Sequence, residues 1–100
     1  WRALAHDPAL LKATWERVQA VMAPGALDPL TKEMIYVAVS VANGCGYCIH
    51  SHTAAARAKG MTAAQHGELL AVIAMASQTN ALAPAFQVPV DPAFRTEDMP

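Results

Sequence analysis

No stretch of this chain concentrates charge of one sign. Seven basic side chains stand against eight acidic ones in 100 residues, and the basic ones are scattered. A protein that grips nucleic acid gathers lysine and arginine on one face, so that class is set aside. Long apolar runs are missing as well: nothing approaches the ~18 residues that a membrane-spanning helix needs, and no basic-then-apolar leader is visible. Cysteine is scarce, and two residues are too few for a disulfide scaffold. There is no internal repeat and no low-complexity tract. The chain opens on Trp1 rather than a methionine, so further residues are expected upstream. One small domain remains, and the cytoplasm is its expected setting.

Apolar residues, by contrast, make up 54% of the sequence. A domain of this size buries only about 60 to 65% of the surface that its unfolded chain exposes. Many aliphatic side chains would therefore stay wet in a monomer, and a homo-oligomer is expected.

Four helices are expected. Asp7-Pro8 supplies a capping acceptor followed by the residue best tolerated at a first helical position. Behind it Leu11, Trp15, Val18 and Met22 form one apolar stripe, which predicts a core Trp15, and Pro24-Gly25 ends the helix. Asp28-Pro29 repeats the start signal. The segment 30–42 is apolar nearly all round, which predicts a helix buried on every side. Asn43-Gly44 breaks it, and a third helix starts at or near Cys45 and runs to Gly60, with Arg57 and Lys59 suiting its C-terminal dipole. Thr62 and Gln65 form a capping box for a fourth helix, expected to end before Pro84. Four of the seven prolines then fall in the last seventeen residues. The expected organisation is an all-α domain over 1–83 and a Pro-rich arm over 84–100, with Asp91-Pro92 able to start a short turn.

The segment Cys45-Gly46-Tyr47-Cys48-Ile49-His50-Ser51-His52 carries the chemistry. One turn brings thiols at CxxC spacing to roughly the 5.5 Å between Cα atoms that a disulfide needs. A histidine four residues after Cys48 lies on the same helical face. A c-type haem site would need histidine directly after the second cysteine, where this chain has Ile49. A structural zinc would draw on Cys45, Cys48, His50 and His52, but residues two apart on a helix point about 200° away from each other. A thioredoxin fold needs a strand before its CxxC, and here a helix precedes it. Two small core hydrophobes are the plainest alternative. A dithiol centre at a helix start accounts for the spacing best, because unpaired N–H groups and the dipole there stabilise a thiolate.

Glu33, Cys45, Cys48 and His52, followed by an Ala-rich helix, Gly60 and Thr62, spell E-x11-C-x2-C-x3-H. Over residues 28 to about 75 the chain resembles the AhpD-like alkylhydroperoxidase branch of the carboxymuconolactone decarboxylase family. The resemblance implies an all-helical oligomer, often a trimer or hexamer, that reduces hydroperoxides with its cysteine pair. The implied partners are the hydroperoxide and a dithiol reductant such as a lipoyl-bearing or thioredoxin-like protein. No cofactor or metal is expected. Characterised members carry a further histidine between the two cysteines, where this chain has Tyr47, and a phenol does not relay protons as an imidazole does. Members that act as lactone decarboxylases generally lack the pair. A redox-sensing or disulfide-exchange module is the alternative.

Within the pair, Cys48 is expected to attack, being nearer His52 and deeper in the first turn, with Cys45 resolving. If the helices flanking Asn43-Gly44 form an antiparallel hairpin, His52 lies opposite about Tyr36. Glu33 is three residues further from the turn, about 4.5 Å along the axis. A Glu33–His52–Cys48 relay is therefore expected. His50 is expected at the surface or an interface, His6 and His66 in solvent at helix starts, and Tyr47 against a neighbour.

Overall fold

Each helix begins where the sequence offers an acceptor to its unpaired N–H groups. In the computed structural model, which describes residues 1–95, α1 spans Pro8–Met22, α2 Pro29–Asn43, α3 Gly46–Ala58 and α4 Ala63–Ala85, with short 3-10 turns at Arg2–His6 and Pro92–Phe94. The Asp7 carboxylate accepts the Leu10 amide at 3.1 Å, and Asp28 accepts the Thr31 amide at 2.9 Å and its hydroxyl at 2.8 Å. At α4 the capping box closes in both directions: Gln65 N–H donates to the Thr62 hydroxyl at 3.1 Å, and Thr62 N–H to the Gln65 side chain at 2.8 Å. No strand occurs among the described residues, as an all-α class requires.

The ends of α2 and α3 are built alike. Gly44 (φ 69°) follows α2 in the left-handed region, its N–H reaching the Val41 carbonyl and the Cys45 N–H the Ser40 carbonyl. Gly60 (φ 100°) plays the same part after α3, with its N–H on Arg57 and the Met61 N–H on Ala56. This pair of bonds is the Schellman closure, which glycine enters without a Cβ penalty. Its usual hydrophobic contact is present too, since Ala56 and Met61 are both buried. The first closure fixes Cys45 at the start of α3, immediately after the end of α2.

α2 is the hub, packed on by α1, α3 and α4. Lys32 ties α1 to it by donating to the Val21 and Ala23 carbonyls, acceptors that the end of α1 leaves free. The buried residues of the hairpin are few: Glu33, Val37 and Ser40 on α2, at helical spacing, and Ala56 on α3.

Three expectations give way here. α2 is not covered on every side within one chain: its three neighbouring helices leave one stripe open, with Ile35 and Val39 about half exposed and Ala42 exposed beside them. Trp15 is not core; it is 47% exposed and meets Trp1 edge to face, while Leu11, Val18 and Met22 of the same stripe are half-buried. α4 does not stop before Pro84 but runs through it to Ala85. In the last turn proline forfeits only its own amide bond, and the Val88 N–H on Ala83 and the Gln87 N–H on Pro84 close the helix beyond it. After that the chain is exposed to residue 95, and the part of the expected arm over 96–100 lies outside the described residues.

The chain exposes 7715 Å², whereas a folded monomer of 10.6 kDa is expected to expose about 5,500 Å². Its radius of gyration is 17.0 Å, against about 13 Å for a close-packed domain of 100 residues.

Candidate active site

Cys45 and Cys48 are joined as a disulfide with Cα atoms 5.3 Å apart, close to the separation that their spacing predicts. Cys45 is the N-cap of α3 and Cys48 sits in its first turn. The Cys48 amide donates to the Cys45 sulfur at 3.3 Å, so it is Cys45 whose sulfur holds the capping position. A backbone N–H and a helix start together favour negative charge on that sulfur.

One turn further along α3, His52 faces α2. Its Nδ1 lies 2.7 Å from Oε2 of Glu33, and its ring stacks on Tyr36 with centroids 3.6 Å apart and planes 19° from parallel. The antiparallel register expected from the short connection is thus the one observed. Glu33 is 4% exposed, far from the ordinary surface acid that its sequence context alone suggests. Its other oxygen is occupied: Lys59 Nζ donates to Oε1 at 3.0 Å. A buried carboxylate needs such partners, since burying an unpaired charge is costly.

Lys59 was not among the residues expected at the site. Its signal was present, however: it stands seven residues after His52, on the same face of α3, and Glu33 falls between the two across the hairpin. Tyr36 likewise enters as the wall on which the imidazole rests. His50, His6 and Tyr47 are exposed and take no part; His66 is half-buried on α4. Among the described residues no group of three or more histidine, cysteine or acidic side chains is arranged to hold a metal ion. No described helix is long and apolar enough to cross a membrane.

A largely apolar cavity of about 550 Å³ opens beside the disulfide. Val21, Met22, Leu27, Ile35 and Val39 line it, and Tyr36, Cys45 and Cys48 form part of its wall. A molecule with an apolar body could thus present a polar end to the sulfurs.

A CxxC disulfide at the start of a helix, backed across a helical hairpin by a buried Glu–His pair, defines an all-helical dithiol protein. The profile of the carboxymuconolactone decarboxylase family matches residues 8–91, and the chain belongs to that family. The crystal structure of the alkylhydroperoxidase AhpD core from Rhodospirillum rubrum ATCC 11170 superposes with a TM-score of 0.91 at 72% sequence identity, over 94% of this chain and 70% of that one. The alkyl hydroperoxide reductase AhpD of Solibacter usitatus (strain Ellin6076) is 38% identical over 76 residues, which is 76% of this chain and 41% of the relative. The uncharacterized protein 4 in the cox locus of Paracoccus denitrificans is 43% identical over 56 residues, 56% of this chain and 50% of that protein. The chain thus spans half the length or less of these two curated relatives.

Proposed function

We propose that the chain is a thiol-dependent peroxidase acting on organic hydroperoxides through a Cys45–Cys48 dithiol/disulfide cycle. The observation that carries this reading is the 2.7 Å Glu33–His52 contact one turn from Cys48, beside a disulfide that borders an apolar cavity. The likeness to a protein named alkylhydroperoxidase and to one named alkyl hydroperoxide reductase supports it.

In the reduced protein, His52 Nε2 takes the Cys48 proton while Glu33 holds Nδ1–H, which fixes the tautomer. The Cys48 thiolate attacks the O–O bond. The distal oxygen passes to sulfur as a sulfenic acid, and the alkoxide leaves as the alcohol with the proton from His52. Cys45 then attacks the Cys48 sulfur and water departs, forming the disulfide. An external dithiol, carried on a lipoyl-bearing or thioredoxin-like protein, attacks the disulfide and leaves oxidised, returning two thiols. The amide on the Cys45 sulfur favours it as the leaving thiolate in that exchange. The setting is a reducing cytoplasm, and the working form is a homo-oligomer, a trimer or hexamer, that covers the apolar surface left open on one chain.

Turnover of an organic hydroperoxide with a lipoyl-type dithiol tests the reading. Cys48→Ser should abolish consumption, whereas Cys45→Ser should consume about one equivalent and stall as a sulfenate detectable by mass. The reverse pattern would exchange the two roles. Reversible disulfide chemistry with no peroxide consumed would instead identify a redox-sensing or disulfide-exchange module.

A further inference from the structure

The Glu33 carboxylate is shared. Oε2 meets His52 Nδ1 at 2.7 Å and Oε1 meets Lys59 Nζ at 3.0 Å, while the side chain itself is only 5% exposed. A buried glutamate with both oxygens engaged in this way can have its charge balanced by either partner, but needs only one of them to be cationic. With Lys59 as ammonium and Glu33 as carboxylate, the pair is already neutral, and His52 completes it as an uncharged imidazole donating Nδ1–H. Without the ammonium the buried carboxylate has one partner left, and the arrangement that balances its charge is an imidazolium. An imidazolium has no free ring nitrogen, so it cannot accept a proton from a thiol.

We propose that Lys59 is a positioning residue that takes up half of the Glu33 carboxylate and so keeps His52 in the neutral form with Nε2 free. The backbone suits this task. Lys59 caps the end of α3, where its N–H reaches the Ala55 and Ala56 carbonyls and Gly60 turns the chain away. That leaves the lysine stem to run back along the helix toward α2 rather than out along its axis. Two groups from α2 meet the imidazole, Glu33 at Nδ1 and Tyr36 on its face, while on its own side of the hairpin Cys48 stands four residues back and Lys59, seven residues on, reaches the far oxygen of Glu33. Tyr36 stacks flat against the ring, so the in-plane partner at Nδ1 is Glu33. A bare dipole interaction of Lys59 with the helix end would not place its Nζ on the buried acid.

The role matters for catalysis on the peroxidase reading, on which the inference rests, yet it can be read without any turnover. Nitrogen-15 spectra of the reduced protein at neutral pH report the state of each histidine ring, with His52→Gln serving to assign the resonance. Wild type should show His52 as the neutral Nδ1–H tautomer. Lys59→Met should raise the imidazolium-to-neutral ratio by about three- to tenfold, after allowance for solvent screening of a half-exposed ammonium. Lys59→Arg should restore the wild-type spectrum. Lys59→Gln keeps a donor of similar length without the charge and should follow Lys59→Met; it also serves if the methionine variant does not fold. A His52 spectrum unchanged in Lys59→Gln would overturn the proposal, because a hydrogen bond without charge would then suffice.

Kinetics add a second readout. Thiol attack by Lys59→Met should be slow at neutral pH and recover toward wild type in alkali with KM unchanged, whereas a packing defect would not recover. If neither wild type nor variant consumed peroxide, the peroxidase reading would fail while the spectra still decided the role of Lys59.

Discussion

The α2–α3 hairpin and the long helix α4 draw on the same Ala-rich, aliphatic vocabulary, but they use it in opposite ways. Among the described residues the hairpin holds four of the five that are buried, and two of those, Glu33 and Ser40, are polar. Each is satisfied from within: Glu33 by His52 and Lys59, Ser40 by donating its hydroxyl to the Tyr36 carbonyl at 2.6 Å. α4 is the longest helix, 23 residues, and none of them is buried; Leu70, Val72, Met75 and Leu82 all stand at least 44% exposed. The hairpin encloses its buried polar groups, although Ile35 and Val39 stay open on α2, whereas α4 encloses nothing. The hairpin therefore carries its chemistry as a self-contained unit, while α4 carries surface that a single chain has no means to cover. The roughly 2,200 Å² by which this chain exceeds the expected monomer surface comes both from α4 and from the exposed chain that follows Ala85.

The largest effect should come from forcing α4 to remain uncovered. Placing a charge there by Val72→Glu with Met75→Glu should abolish assembly outright, since a buried unpaired charge in an interface costs several kcal/mol. Light scattering at micromolar concentration should show the wild type as an oligomer and the variant as monomer or aggregate. A stable, soluble wild-type monomer would break the comparison at its root.

The next effect lies inside the hairpin. Glu33→Gln should slow thiol attack by about 100-fold, the lower range for losing an oriented general base. Fold and oligomer should survive, because the amide fills the same space and Lys59, at 40% exposure, can turn to solvent. Stopped-flow oxidation by an organic hydroperoxide, with size-exclusion as the control, measures both. An equal loss of activity and assembly would mean that the hairpin is not independent of its surroundings.

The same contrast explains what could be read beforehand. Helix starts were legible because Asp7, Asp28 and Thr62 act locally, through bonds to residues three positions on. The Glu33–His52 contact was legible because a short connection forces antiparallel register, so counting from Gly44 pairs residues across it. Lys59 escaped because a lysine near a helix end has a sufficient local explanation in the dipole, and nothing local announces a buried acid across the hairpin. The expected burial of α2 on every side and of Trp15 failed for a different reason. Apolar periodicity states which face wants cover, but not whether the cover comes from the same chain. Pro84 failed as a stop because a proline so near the helix end sacrifices only one hydrogen bond.

Core truncation sharpens the comparison at a smaller scale. Val37 is fully buried between α2 and its neighbours, and Val37→Ala should cost about 2 kcal/mol. The loss should be independent of protein concentration, because the contacts lie within one chain. Met75→Ala on the open face of α4 should instead destabilise more at high concentration than at low, where its contacts are lost with the assembly. Urea midpoints measured over a hundredfold dilution series separate the two.

The smallest effect concerns the cap that starts α2. The Asp28 carboxyl is held below its ordinary range, first by the Thr31 amide and then by the Thr31 hydroxyl. In the unfolded chain those donors are gone and the ordinary value returns, so the native state prefers the ionised form. The resulting stabilisation is fully present above the ordinary aspartate range and is lost as pH falls through the lowered native value. Asp28→Asn keeps an oxygen for the Thr31 amide but cannot ionise. Wild type should thus melt above Asp28→Asn at neutral pH, with the gap steady down to about pH 5 and closing in stronger acid. The charge on this cap acts at the surface and its carboxylate bonds only to Thr31, so peroxide consumption at neutral pH should not distinguish the two proteins. A melting gap that stayed constant from neutral pH to about pH 2.5 would show that the amide bond alone starts the helix and that the charge adds nothing.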